Sequence, residues 1–248
     1  MSFVIGGLAG GRIVEAFGYP RLFKIMAICW LVAALVGIGI RDRYVSSEVT
    51  GSEDVSIKRP IVLFCAAILL QSLFFQWSEM ALPLRLKDSG FSLPFITSMY
   101  SISNVVSIPF VILAARYAGR LGNVNLLVGG AVILGVCRFG LGIFDSEMEV
   151  IGLQVVTGVP TAFFHSIAAA VMAGLGPDRT VGIRMSFLMM GSGIGGALGG
   201  LVGGYLLAAF GPAGLLLCSG AGLLSAAVFM RFVVIDPSRA EREYARAG

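Results

Sequence analysis

Residues 213–230 read AGLLLCSGAGLLSAAVFM, and residues 126–137 read LLVGGAVILGVC. Neither stretch carries a charge, and both are apolar on every side. A membrane β-strand needs about ten residues of apolar and polar alternation, so a barrel is excluded. An α-helix rising 1.5 Å per residue crosses a hydrocarbon core of roughly 30 Å in about 20 apolar residues. Runs of that length recur along the chain, which is therefore read as an all-α membrane protein.

Working outward from these runs, charges, Gly and Pro cluster at boundaries that leave spans at 1–17, 20–40, 60–82, 94–115, 124–144, 149–173, 184–209 and 213–233, eight crossings in all. Across the 248 residues 57% are hydrophobic and 13% charged, with a mean hydropathy of +0.91. Soluble domains carry about a quarter charged residues; the partner of this surface is the lipid bilayer. The net charge of +4 does not indicate nucleic acid, because nearly all of the 18 Lys and Arg sit in short loops and a tail without the clustered basic surface that binding requires.

Those charges set the orientation instead. Alternate loops place twelve Lys and Arg on one side, from Arg41 to Arg246, against Arg21, Lys24, Arg85 and Lys87 on the other. The positive-inside rule then puts the 41–59 loop and the tail from residue 234 in the cytoplasm, with both termini cytoplasmic. The loop, RDRYVSSEVTGSEDVSIKR, is the one long polar connection, and its mixed charge suits a linker between two helical bundles. The expected division is 1–40 for the last two helices of one bundle, 41–59 for the linker, 60–233 for a six-helix bundle and 234–248 for the tail.

An internal repeat supports two related halves. GGLAGGRIVEAFG at 6–18 aligns without gaps to GGLVGGYLLAAFG at 199–211, identical at eight of thirteen positions and offset by 193 residues. Three helix pairs fit in that offset, the pattern expected of two related six-helix halves. Two such halves need twelve spans, so roughly four and part of a fifth are expected upstream of Met1, the first span being short before its GGLAGG. Were Met1 the true start, the chain would be a nonfunctional remnant, with polar stripes turned to lipid.

With the repeat and loop pattern in place, the chain resembles the major facilitator superfamily over residues 3–233. GGLAGG at 6–11 is similar to the G-P-x-x-G-G motif of the family's antiporters, with Gly7 in place of the proline. ARYAGRLGN at 115–123 resembles the family's basic loop, matching through Arg120 and Gly122 but lacking the usual aspartate. MALPLRLKDSGFS at 80–92, LQVVTGV at 153–159 and GPDRTVGIRMSF at 176–187 look like segments of bacterial sugar efflux transporters. The resemblance implies the major facilitator fold, with about eight of an expected twelve transmembrane helices present. It also implies a bacterial inner membrane location and secondary active, proton-coupled sugar efflux by antiport. The alternative cargo on the same fold is a drug or metabolite.

Polar side chains inside a membrane helix cost about 2.5–3.5 kcal/mol when charged and so face a bundle interior or cavity. Ser72, Gln76, Glu79 and Pro83 recur at helical spacing on one stripe of the third span. Thr97, Ser101, Asn104 and Ser107 do so on the fourth, with Tyr100 beside them, and Gln154, Thr157, Thr161 and His165 on the sixth. The resemblance implies that these three helices line the central pathway. Gln76, Glu79, Tyr100, Asn104, Gln154, Thr161 and His165 are thus the candidate substrate or proton pathway.

His165, following Pro160, is a proton carrier or a packing histidine; an imidazole with an ordinary pKa near 6.5 suits the first role. Glu79 is the other proton carrier, or a carboxylate exposed at the interface. For Arg138 the first reading is snorkelling to the headgroups, the alternatives a pairing with Glu79 or a hold on an anionic substrate. Trp77 is an interface anchor or a surface for stacking a sugar ring. Arg12 and Glu15 are read as a pair, and the glycines from Gly191 to Gly204 as a close helix contact.

Enzyme motifs are missing: no HExxH, no clustered histidines, no serine with an evident base. Cys29, Cys65, Cys137 and Cys218 all lie in apolar runs without a CxxC pair, so neither a disulfide framework nor a metal site is indicated. No cofactor is expected; the remaining partners are a small-molecule solute and a proton.

Overall fold

The computed structural model describes residues 59–176 and 180–233, with scattered positions between 18 and 35. The first copy of the repeat up to residue 17, its Arg12–Glu15 pair, nearly all of the linker and the tail lie outside the described residues. So does the side chain of His165.

Among the described residues the elements are helices. They are α1 (Arg59–Asp88), α2 (Leu93–Leu121), α3 (Asn123–Ile143) and α4 (Glu147–Gly174), followed by a helical stretch Val181–Val233. As one rod that stretch would be about 80 Å long, far more than a bilayer accommodates. It breaks at Gly211, whose φ of 68° and ψ of 177° are non-helical, with Pro212 next. The break makes two helices, α5 (181–210) and α6 (212–233).

Short local signals separate the others. Ser92 accepts a hydrogen bond from the Phe95 N–H at 3.4 Å to cap α2. Gly122, at φ 82°, both closes α2 and opens α3, so those neighbours are antiparallel. The helices overrun the expected spans: α1 continues past residue 82 to Asp88, and α2 past 115 to Leu121. Charge and proline mark where the hydrocarbon ends, whereas the backbone keeps its hydrogen bonds into the headgroup zone. Pro83, Pro109 and Pro160 all lie inside helices.

Association in lipid draws on close packing rather than on burial from water, and glycine supplies it. A Cβ on Gly191 would stand 3.1 Å from the Cys65 carbonyl oxygen, one on Gly199 2.5 Å from that of Leu73, and one on Gly203 2.8 Å from Trp77 Cδ1. Gly195 meets the Leu69 carbonyl in the same way. The partners advance by four residues on both helices, so α1 and α5 run parallel, backbone against backbone. The expected glycine contact is thus present. Antiparallel α3 and α6 meet through Gly142, where a Cβ would come 3.2 Å from the Ala213 oxygen, and α4 presents Gly158 at 2.6 Å to the Ser103 oxygen of α2.

Two apolar clusters form the core. One gathers Phe64, Ile68, Leu127, Val171, Leu188 and Met230; the other gathers Leu82, Leu86, Leu141, Val150, Leu215 and Leu216. On α1 the first ends at Ile68 and the second starts at Ala81. The polar residues fall in the gap between them.

Candidate functional site

That gap holds a cavity of about 180 Å³, lined by Gln71, Ser72, Phe75 and Gln76 of α1, Leu134 of α3, Pro160, Thr161 and Phe164 of α4, and Ser192 and Gly196 of α5. Gly196 presents no side chain there, which leaves room for several waters or a small solute. Ser72 donates to the Ser192 hydroxyl at 3.2 Å, and Thr161 donates to the Thr157 carbonyl at 2.9 Å. Much of the hydroxyl capacity of the wall is therefore already engaged, leaving the Gln71 and Gln76 amides as its larger polar groups. The Gln71 side-chain oxygen is buried without a hydrogen-bond partner among the described residues.

Of the residues expected on the pathway, Gln76 and Thr161 line this cavity; Tyr100, Asn104 and Gln154 do not. The stripe on α2 is turned back onto its own helix. Asn104 donates to the Tyr100 carbonyl at 2.8 Å, Thr97 to that of Pro94 at 3.0 Å and Ser107 to that of Asn104 at 2.7 Å. Gln154 is buried at 1% exposure, its side-chain oxygen without a partner among the described residues. His165 stands one turn beyond Thr161 on α4.

Beyond Gln76 on α1 comes the charged part of the site. Arg138 Nη2 donates to Glu79 Oε1 at 2.7 Å, joining α3 to α1, with side-chain exposures of 3% and 28%. This corrects two first readings: Arg138 does not snorkel, and Glu79 is not simply exposed at the interface. The spacing from the helix end permits either, but a guanidinium with a carboxylate in reach inside the bundle is held there by charge. The guanidinium carbon also sits 5.5 Å from the centre of the Phe75 ring, a cation–π distance. Phe75 therefore touches both the cavity and the ion pair, and Tyr100 lies within electrostatic reach of Glu79 and Arg138 together. Arg138 Nε and Nη1 are buried with no hydrogen-bond partner among the described residues.

Trp77 neither stacks over the cavity nor stands at an end of the bundle. Its ring packs edge-on to Phe74 at 5.1 Å and lies against Gly203. Away from the cavity, Arg85 pairs with Asp145 at 2.5 Å, and Arg184, 2% exposed, donates to the Ala173 carbonyl and the Thr180 hydroxyl, both at 2.8 Å. These contacts tie helix ends together at the loops. Among the described residues no group of His, Cys, Asp and Glu is placed to hold a metal ion.

Sequence reading passed over Gln71, Phe75, Phe164 and Ser192 as cavity residues. Gln71 gave a signal, an isolated amide in an apolar run, but it stands one position off the stripe of Ser72 and Gln76. Ser192 was hidden inside a glycine run whose evident use was packing.

Comparison with known proteins adds two findings. The family model of the Major Facilitator Superfamily matches residues 62–248. The chain is also similar to an agnestins efflux protein of Paecilomyces divaricatus, 25% identical over 248 aligned positions that cover 93% of this chain and 56% of the relative. The chain thus spans little more than half the length of that curated relative.

Proposed function

Because the chain belongs to the major facilitator superfamily, we propose that it works in a secondary active transporter that moves a small amphipathic organic solute outward by alternating access, with Glu79 as its proton carrier. The observation that carries this is the cavity whose Phe75 wall is shared with the part-buried Glu79–Arg138 pair. A cargo held there sits one ring away from a group that can gain and lose a proton. The chemistry is relocation of a solute and a proton, not catalysis on a substrate, so the protein is a transporter rather than an enzyme.

The amphipathic metabolite is favoured over the sugar by the lining. A sugar needs many hydrogen-bonding groups on every edge, whereas the wall pairs Phe75, Leu134, Pro160 and Phe164 with a few free polar atoms and spends its hydroxyls internally. Similarity to an efflux protein supports the outward direction. The proposal places residues 60–233 as one six-helix bundle that rocks against a second, to which residues 1–40 contribute, with 41–59 as the cytoplasmic linker.

Inverted membrane vesicles containing the protein are expected to accumulate a neutral fluorescent amphipathic probe such as N-phenyl-1-naphthylamine when a pH gradient is imposed. Glu79→Gln should abolish the gradient-driven part, and His165→Ala tests the alternative carrier. Uptake of labelled sugars in place of N-phenyl-1-naphthylamine would return the sugar reading; uptake unaffected by Glu79→Gln would remove Glu79 from coupling.

A further inference from the structure

A carboxylate that meets a guanidinium squarely takes two parallel N–H bonds. Here Glu79 takes one, from Nη2, and leaves Arg138 Nε and Nη1 without partners among the described residues, although the side chain is 3% exposed. Buried polar groups are almost always satisfied, since leaving a charged donor unpaired is costly. The face of the guanidinium is occupied by the Phe75 ring at 5.5 Å, and that same ring forms part of the cavity wall together with Phe164. Two charged donors without partners among the described residues are thus separated from the cavity by the Phe75 ring, and reach it when that ring turns aside.

We propose that Arg138 is a receptor for the anionic group of the cargo, which is an organic anion: a carboxylate or phenolate attached to an apolar ring. This rests on the transporter reading and names its substrate class. The ring packs in the cavity against Phe75 and Phe164, and the anionic oxygen takes the N–H donors that Glu79 leaves unused. Glu79 and the cargo then compete for one cation. Removing the carboxylate while keeping an amide oxygen in its place strengthens cargo binding, which a purely structural ion pair would not do.

The test compares 2-naphthoate with its neutral isostere 2-naphthamide, by equilibrium dialysis against the purified protein in phosphatidylethanolamine and phosphatidylglycerol nanodiscs. Naphthoate is expected to bind at least ten-fold tighter. Arg138→Gln should remove the preference for naphthoate over the amide, Arg138→Lys should keep part of it, and Glu79→Gln should tighten naphthoate several-fold. Equal binding of the two probes by the unaltered protein overturns the inference while the transporter reading stands on the shared signal. Weakening of naphthoate by Glu79→Gln overturns it too, because the pair is then only a brace. Binding of neither probe also overturns it, and the N-phenyl-1-naphthylamine uptake assay then decides separately whether the transport reading survives.

Discussion

Arg138 was ambiguous on the chain and is not ambiguous in the bundle. Its distance from the end of its helix allowed a reach to the headgroups, and nothing local distinguished that from a partner 59 positions away at Glu79. Long-range pairing of this kind is set by which helices touch, and α3 comes to face α1 only through the packing of the whole bundle. Removing one partner of such a pair leaves the other charge buried and uncompensated, at a cost of about 3 kcal/mol or more, whereas replacing both with apolar groups costs less. Glu79→Leu and Arg138→Met are therefore each expected to lower stability more than the two together. Unfolding in mixed micelles, followed by near-ultraviolet circular dichroism across the double-mutant cycle, checks this; additive losses would mean the charges do not sense each other. Gln76 and Thr161 were legible as cavity residues because their stripes were regular. The stripe on α2 misled in part, since hydroxyl and amide side chains can satisfy themselves on the preceding turn, as Asn104 does on Tyr100.

At the scale of helices the sequence was far more readable. Apolar runs bounded by charge gave the positions of α1 to α6, because a membrane helix must satisfy its backbone internally and has no alternative structure to adopt. The ends were less legible: Asp88 and Leu121 lie well beyond the apolar limits. Within α5, adjacent glycines have opposite roles. A Cβ on Gly199 would fall 2.5 Å from the Leu73 carbonyl, while one on Gly200 meets nothing within 4 Å. Gly199→Ala is expected to destabilise the bundle by roughly 1–3 kcal/mol through overpacking, and Gly200→Ala to be neutral or slightly stabilising through helix propensity. Melting temperatures in detergent distinguish the pair, and equal shifts would contradict the parallel α1–α5 contact. That both were glycine was plain from the sequence; which of them faces α1 required the register.

For the whole molecule the orientation in the membrane rests on loop charge. Ser89, at the turn after α1, and Arg120, in the last turn of α2, are both exposed, and about 43 Å of helix separates the two ends of α2. In a background lacking Cys29, Cys65, Cys137 and Cys218, a membrane-impermeant maleimide added to intact cells is expected to label Ser89→Cys and spare Arg120→Cys. The reverse would invert the topology, and labelling of both would mean that α2 does not cross. Any opening of the cavity must also respect the seam from Gly191 to Gly203. With carbonyls of α1 seated against bare Cα atoms of α5 at every fourth residue, an axial slide of one residue, about 1.5 Å, would drive the side chains flanking the glycines into those carbonyls. The next permitted setting is a full tooth away, about 6 Å. Mechanically the seam is a rack: α1 and α5 can tilt as a single lever but cannot glide along each other, so the cavity wall they share at Ser72 and Ser192 travels as one piece.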